Sequence, residues 1–133
     1  MQTKVLAVDD EAAELNLMCH ALRGQNYGVF VAASYRDAIN TFRMHHEEIS
    51  LLITDVALPG RNGCELARDL LQIDPGLKVL FISGPTGAKI CRFYNMPVTG
   101  QDFLQKPFGM DELLNRVGKI LGLSVPIRTM GAS

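Results

Sequence analysis

The chain has 133 residues, enough for one folded core but not for a second unit of useful size. It is 47% hydrophobic and 20% charged with no low-complexity stretch, which excludes a disordered tail and predicts a globular domain. A formal net charge of -1 without any run of Lys or Arg argues against direct nucleic-acid binding, and no apolar stretch is long enough to cross a bilayer.

The N-terminal segment MQTKVLAVDD reaches two acids before a signal-peptide core could form, so a cytoplasmic location and no membrane contact are expected. Residues 5–8 form the first short apolar run. Behind it, residues 11–25 carry Leu15, Met18, Cys19 and Leu22 at three- and four-residue steps, one buried face of a helix. Residues 29–32 are a second apolar run. A helix over residues 35–46 follows, with Ser34 near its start and His45, His46, Glu47 and Glu48 as its polar end; the imidazoles there are favoured by the helix dipole and are not read as a metal cluster. Residues 51–54 are the third run, followed by a helix over 63–73 that Asp74, Pro75 and Gly76 terminate.

Residues 79–82 make the fourth run. The helix after it, over 87–94, is the least regular, because Gly84, Pro85, Gly87, Pro97 and Gly100 all favour loops; Ile90, Phe93, Tyr94 and Met96 are core residues in the simpler reading and a partly exposed docking patch in the other. A weaker strand at 102–104 precedes a helix over 110–121, where Leu113, Leu114, Val117, Ile120 and Leu121 share a face, Asp111 lies near the start and Gly122 follows the end. Residues 123–133 lack periodicity and read as a flexible tail or the start of a linker. Cys19, Cys64 and Cys91 are odd in number and widely spaced, and are expected to be buried free thiols in a reducing compartment.

Four strong runs without polar alternation are what strands covered on both faces look like. Five βα units in alternation predict an α/β fold, a doubly wound parallel five-stranded sheet with right-handed crossovers. Ligands of such sheets bind beyond the carboxyl ends of the strands. Those ends carry Asp9 and Asp10, Asp55, Ser83 and Lys106. Carboxylates brought together there repel by about 4 kcal/mol per close pair at moderate dielectric, so a positive partner is required. Mg²⁺, with Mn²⁺ possible in its place, suits that donor set and leaves room for a phosphoryl oxygen, while Lys106 supplies a second positive charge. Asp55 can then attack phosphorus to give an acyl phosphate, with Ser83 donating its hydroxyl to a phosphoryl oxygen.

In VLAVDDE, LLITDVALPGRNG, VLFISG and FLQKPF the chain resembles the receiver domains of bacterial two-component response regulators, over residues 1–122. The resemblance implies a flavodoxin-like strand order 2-1-3-4-5. It implies that Asp10 ligates Mg²⁺ directly and Asp9 directly or through water, that Asp55 is both ligand and phosphoacceptor, and that the main-chain carbonyl of Ala57 completes the protein ligands. It also makes Ser83 and Lys106 the phosphoryl-binding pair, Phe103 the switch aromatic, and the Lys106–Pro107 peptide cis. The implied partners are a sensor histidine kinase or histidine phosphotransfer protein as donor, and an output partner or domain on the face of the fourth helix, fifth strand and fifth helix. Such a domain is a signalling switch and not a turnover enzyme; the alternative is a degenerate receiver that docks partners without phosphate.

Two other readings fit less well. A phosphohydrolase working through an aspartyl phosphate wants a second acid where this chain has Ala57. A flavodoxin-like cofactor binder wants a phosphate cradle where it has Asp9, Asp10 and Glu11. Ala57 and Pro85 also stand where many relatives carry polar side chains near the attacking water, so slow self-dephosphorylation is expected.

Overall fold

The computed structural model describes residues 2–95 and 102–123. Ten elements alternate along the chain: β1 (Lys4–Val8), α1 (Ala12–Gly24), β2 (Gly28–Ala32), α2 (Tyr35–His45), β3 (Ile49–Asp55), α3 (Gly63–Ile73), β4 (Lys78–Ser83), α4 (Gly87–Phe93), β5 (Phe103–Gln105) and α5 (Met110–Ile120). The strands are parallel in the order β2-β1-β3-β4-β5. Strand order reverses at β1, so the crevice beyond the ends of β1 and β3 is where a doubly wound sheet offers a site.

Two cores explain why the strands read as nearly continuous apolar runs. Successive side chains of a strand point to opposite faces. Leu6, Val8, Leu52 and Phe81 enter one cluster with Phe42, Leu66, Leu70 and Cys91, from α2, α3 and α4. Val5, Ala7, Leu51, Ile53, Leu80 and Ile82 enter the other with Leu15, Met18, Leu22, Leu113 and Val117, from α1 and α5. Fully burying each such side chain contributes about 1.5–3 kcal/mol, so a polar residue at either parity of a central strand would be strongly destabilising.

Helix boundaries are set by local chemistry. Ser34 Oγ accepts a hydrogen bond from the N–H of Asp37 at 3.1 Å and starts α2. Asn62 and Glu65 form a reciprocal capping box at the start of α3, with bonds of 2.9 and 3.0 Å. Gly122, just past α5, takes a φ of +73°, a left-handed conformation that glycine adopts without steric penalty.

One expectation is corrected. Cys64 and Cys91 are not free thiols: they form a disulfide between α3 and α4, with Cα atoms 5.4 Å apart, and Cys19 is the remaining free, buried cysteine. Both helices lie on the same face of the sheet, which brings together two sulfurs 27 residues apart. In the fourth-helix region Phe93 is 80% exposed, while Ile90 and Tyr94 are half-buried against the core. Met96 and the tail beyond Leu123 lie outside the described residues.

Candidate functional site

The end of β1 delivers Asp9 into the crevice. Its N–H donates to the carbonyl of Ala32 on β2 at 3.2 Å, and its Oδ1 accepts from the N–H of Glu11 at 2.9 Å. Only 1% of the residue is exposed. Asp55 closes β3, with one carboxylate oxygen held on each side: Oδ1 accepts from the N–H of Ala57 at 2.9 Å, and Oδ2 from Lys106 Nζ at 2.8 Å. Lys106 follows β5, and its own N–H donates to the carbonyl of Ser83 at 2.9 Å, tying the ends of β4 and β5 together. The Lys106–Pro107 peptide is cis.

A third acid joins this group from α1. Glu14 Oε1 accepts from Lys106 Nζ at 2.9 Å. Carboxylate oxygens of Asp9, Glu14 and Asp55 all lie within 4.8 Å of one another, the one such cluster of potential metal ligands among the described residues. Burial, the neighbouring Glu14 and the charge of Asp55 push the Asp9 carboxyl up to about 7. Glu14 is shifted the other way, chiefly by its bond from Lys106. For Lys106, burial disfavours the ammonium, but the bonds to Asp55 and Glu14 outweigh it and hold the pKa above its ordinary value. Three close carboxylates facing one ammonium leave an excess of negative charge, and an all-oxygen donor set of this kind fits a hard divalent cation such as Mg²⁺.

The sequence-derived candidates do not all converge. Asp9, Asp55 and Lys106 meet directly, and Ser83 is buried at the adjoining strand end. Asp10 is exposed and stands outside the clustered acids. Ala57 contributes its N–H to Asp55, and its methyl-bearing residue is exposed. Phe103 is half-buried against the cluster under α2, α3 and α4. Glu14 was not among the candidates, although a helix opening at residue 12 directly behind the strand end sets its first turn over the pocket.

Two glycines permit the close packing around the site. A Cβ on Gly63 would lie 2.2 Å from the carbonyl oxygen of Asp55, so α3 can begin against Asp55 only without a side chain there. A Cβ on Gly87 would lie 2.0 Å from Ser83 Oγ and 2.6 Å from Phe103 Cζ, so α4 starts in contact with both. The segment after Asp55 is pinned by Arg61, which donates to the Tyr35 hydroxyl at 3.0 Å and to Asp69 at 3.2 Å while its guanidinium sits 4.4 Å from the centre of the Tyr35 ring. The Tyr35 hydroxyl in turn donates to Asp69. A cleft of about 240 Å³ runs from Asp9, Glu14 and Lys106 along an apolar wall of Leu17, Met18, Ile82, Phe108 and Met110.

Comparison with known proteins agrees with this geometry. The family model described as the response regulator receiver domain matches residues 5–118. The response regulator receiver protein CpdR of Brucella abortus (strain 2308) is 31% identical over 118 residues, covering 89% of this chain and 96% of that protein. Sensor kinase CckA of the same organism is 32% identical over 118 residues, 88% of this chain but only 12% of the kinase. A receiver-domain crystal structure from Clostridium thermocellum superposes with a TM-score of 0.80 at 22% identity, covering 90% of this chain and 94% of the other, a likeness of fold.

Proposed function

The chain belongs to the response regulator receiver family of two-component signalling, and from that premise we propose that it takes up a phosphoryl group on Asp55 and relays the signal by a change of conformation. The observation that carries this reading is the crowding around Asp55: the Lys106 ammonium sits on Oδ2 at 2.8 Å, and one carboxylate oxygen of Asp9 lies within 4.8 Å of one of Asp55. Such a pocket stabilises charge that develops on a phosphoryl group better than charge already present in the carboxylates alone.

The donor is a histidine kinase or a histidine phosphotransfer protein. An oxygen of Asp55 attacks phosphorus, the P–N bond to the donor imidazole breaks, and its electron pair stays on the ring nitrogen, leaving an acyl phosphate. Lys106 and Ser83 hold phosphoryl oxygens; Asp9, Asp10, Asp55 and the Ala57 carbonyl are the groups that would hold Mg²⁺. When bound, the ion offsets the negative charge of acids and phosphate and permits their approach. The new charge of about -2 draws Ser83 toward it. Because Gly87 packs directly on Ser83 and Phe103, a movement of the serine is felt at once by α4 and the aromatic ring, which supports the face of α4, β5 and α5 as the output surface. The domain works in the cytoplasm, and residues 1–122 carry the function.

The test is exposure to phosphoramidate with and without Mg²⁺, followed by intact mass. We expect one added phosphate, dependent on the metal and absent from Asp55→Asn. A wild-type chain that gains none under any condition would instead favour a receiver that docks partners without phosphate.

A further inference from the structure

Resting on the reading of Asp55 as acceptor, we infer that Glu14 is a positioning residue for Lys106: it anchors the ammonium while the lysine passes from the acceptor carboxylate to the incoming phosphoryl group. Both oxygens of Asp55 are engaged. Oδ1 is taken by the N–H of Ala57 and Oδ2 by Lys106 Nζ. Once Oδ2 bonds phosphorus it is the neutral bridging oxygen of an acyl phosphate, a far poorer acceptor for an ammonium than a carboxylate oxygen. At that moment the ammonium loses one of its two carboxylate partners. A lysine side chain regains rotamer entropy when it is let go, and this one is already 30% exposed.

Glu14 prevents that loss of position. Its Oε1 lies 2.9 Å from Nζ, it comes from α1, and it is 92 residues from the lysine in sequence, so this bond does not depend on the state of Asp55. The backbone of Lys106 is fixed independently by its N–H bond to Ser83. The flexible stem is thereby held at both ends, at the main chain and at the ammonium. Glu14 itself need not touch the transferred group: it acts through Lys106, which does.

The experiment compares phosphorylation rates by phosphoramidate at saturating Mg²⁺ for wild type, Glu14→Gln, Glu14→Ala, Lys106→Ala and Glu14→Ala with Lys106→Ala. Loss of an orienting contact is expected to lower the maximal rate of Glu14→Ala about tenfold with little change in the half-saturating phosphoramidate concentration. Glu14→Gln keeps an oxygen that accepts from Nζ and should stay within about threefold of wild type. In the Lys106→Ala background, adding Glu14→Ala should change nothing beyond about twofold, the non-additivity expected of a residue that acts only through the lysine. Because Glu14 lies among the clustered acids, calorimetric titration with Mg²⁺ should give Glu14→Ala a modest loss of affinity, below about tenfold, from the missing charge alone.

Four results would overturn the inference: Glu14→Ala at the wild-type rate, Glu14→Gln as slow as Glu14→Ala, a Glu14→Ala defect that persists without Lys106, or a tenfold or larger loss of Mg²⁺ affinity, which would make Glu14 a metal ligand. A wild-type chain that takes up no phosphate overturns the acceptor reading as well, and so separates the two failures.

Discussion

On the proposed phosphorylation of Asp55, Ala57 is the residue whose chemistry bears most directly on the lifetime of the phosphate. Hydrolysis of an acyl phosphate on Asp55 needs a water held in line with the O–P bond, and a side chain that holds water needs a donor or acceptor. The methyl of Ala57 and the ring of Pro85 have neither, and both residues are exposed. Decay of the phosphorylated chain is therefore expected to be slow, and Ala57→Asn or Ala57→Glu should speed it by about tenfold, or ~1.4 kcal/mol of barrier. Because the position is exposed, the change leaves the core alone. Following intact mass after removal of phosphodonor measures it; equal lifetimes in all three proteins would remove the basis of the argument. The same scale shows how far the site could be read beforehand. Asp9, Asp55, Ser83 and Lys106 stand immediately after apolar runs, where fold geometry alone sends them to one crevice. Glu14 was illegible because its place depends on the exact entry of α1, and acids in a first helical turn are ordinarily solvated. The separation of Asp10 from Asp9 has the same origin: adjacent residues at a strand end diverge, and only Asp9 is buried.

At the scale of elements, the central strands were legible because burial on both faces leaves no polar alternation, and the helices because their apolar residues recur on one stripe. The five strand and helix pairs were expected within a few residues of where they lie. What spacing along the chain could not express is adjacency across a face, and the disulfide is the clearest case. Cys64 is the second residue of α3 and Cys91 lies within α4; nothing in their separation says that these helices share a side of the sheet. The bond closes a loop of 27 residues, and cross-linking a loop of that size stabilises the folded chain by about 3–4 kcal/mol through the unfolded state. Protein purified without reductant and then denatured should accordingly titrate one thiol, that of Cys19, against three after reduction, and reduction should lower the urea midpoint. Three titrated thiols without reductant would show the pair unbonded. The contrast with a reducing cytoplasm is physical as well, since disulfides there are held open by the thiol pool, and the α3 to α4 link would then report on the redox state of its surroundings.

Across the whole molecule, the acidic pocket couples the stability of the fold to pH, and to metal where Mg²⁺ binds as proposed. Asp9 has its carboxyl pushed up to about 7 in the folded chain, against about 3.9 in an unfolded one. Between those values the folded state binds the extra proton, so the stability this group contributes is present below about pH 4 and is lost as pH rises through about 7. Glu14 is shifted downward by Lys106 and works in the opposite sense, but its contribution is lost only in acid, at and below the ordinary carboxylate range, and does not act between pH 6 and 8. Mg²⁺ needs the carboxylate and therefore competes with that proton. Two consequences follow for thermal unfolding. Without metal, the melting temperature should fall between pH 6 and 8 by an amount that Asp9→Asn, which carries no titrating proton, removes. With saturating Mg²⁺ the fall should be small, so the stabilisation by the ion is larger at pH 8 than at pH 6, and its apparent affinity tightens by up to about tenfold per pH unit below the pKa of Asp9. A metal-induced shift that is equal at both pH values, or an Asp9→Asn protein with the wild-type pH profile, would mean that the excess charge of the pocket is carried elsewhere than on the residue most completely buried among the acids.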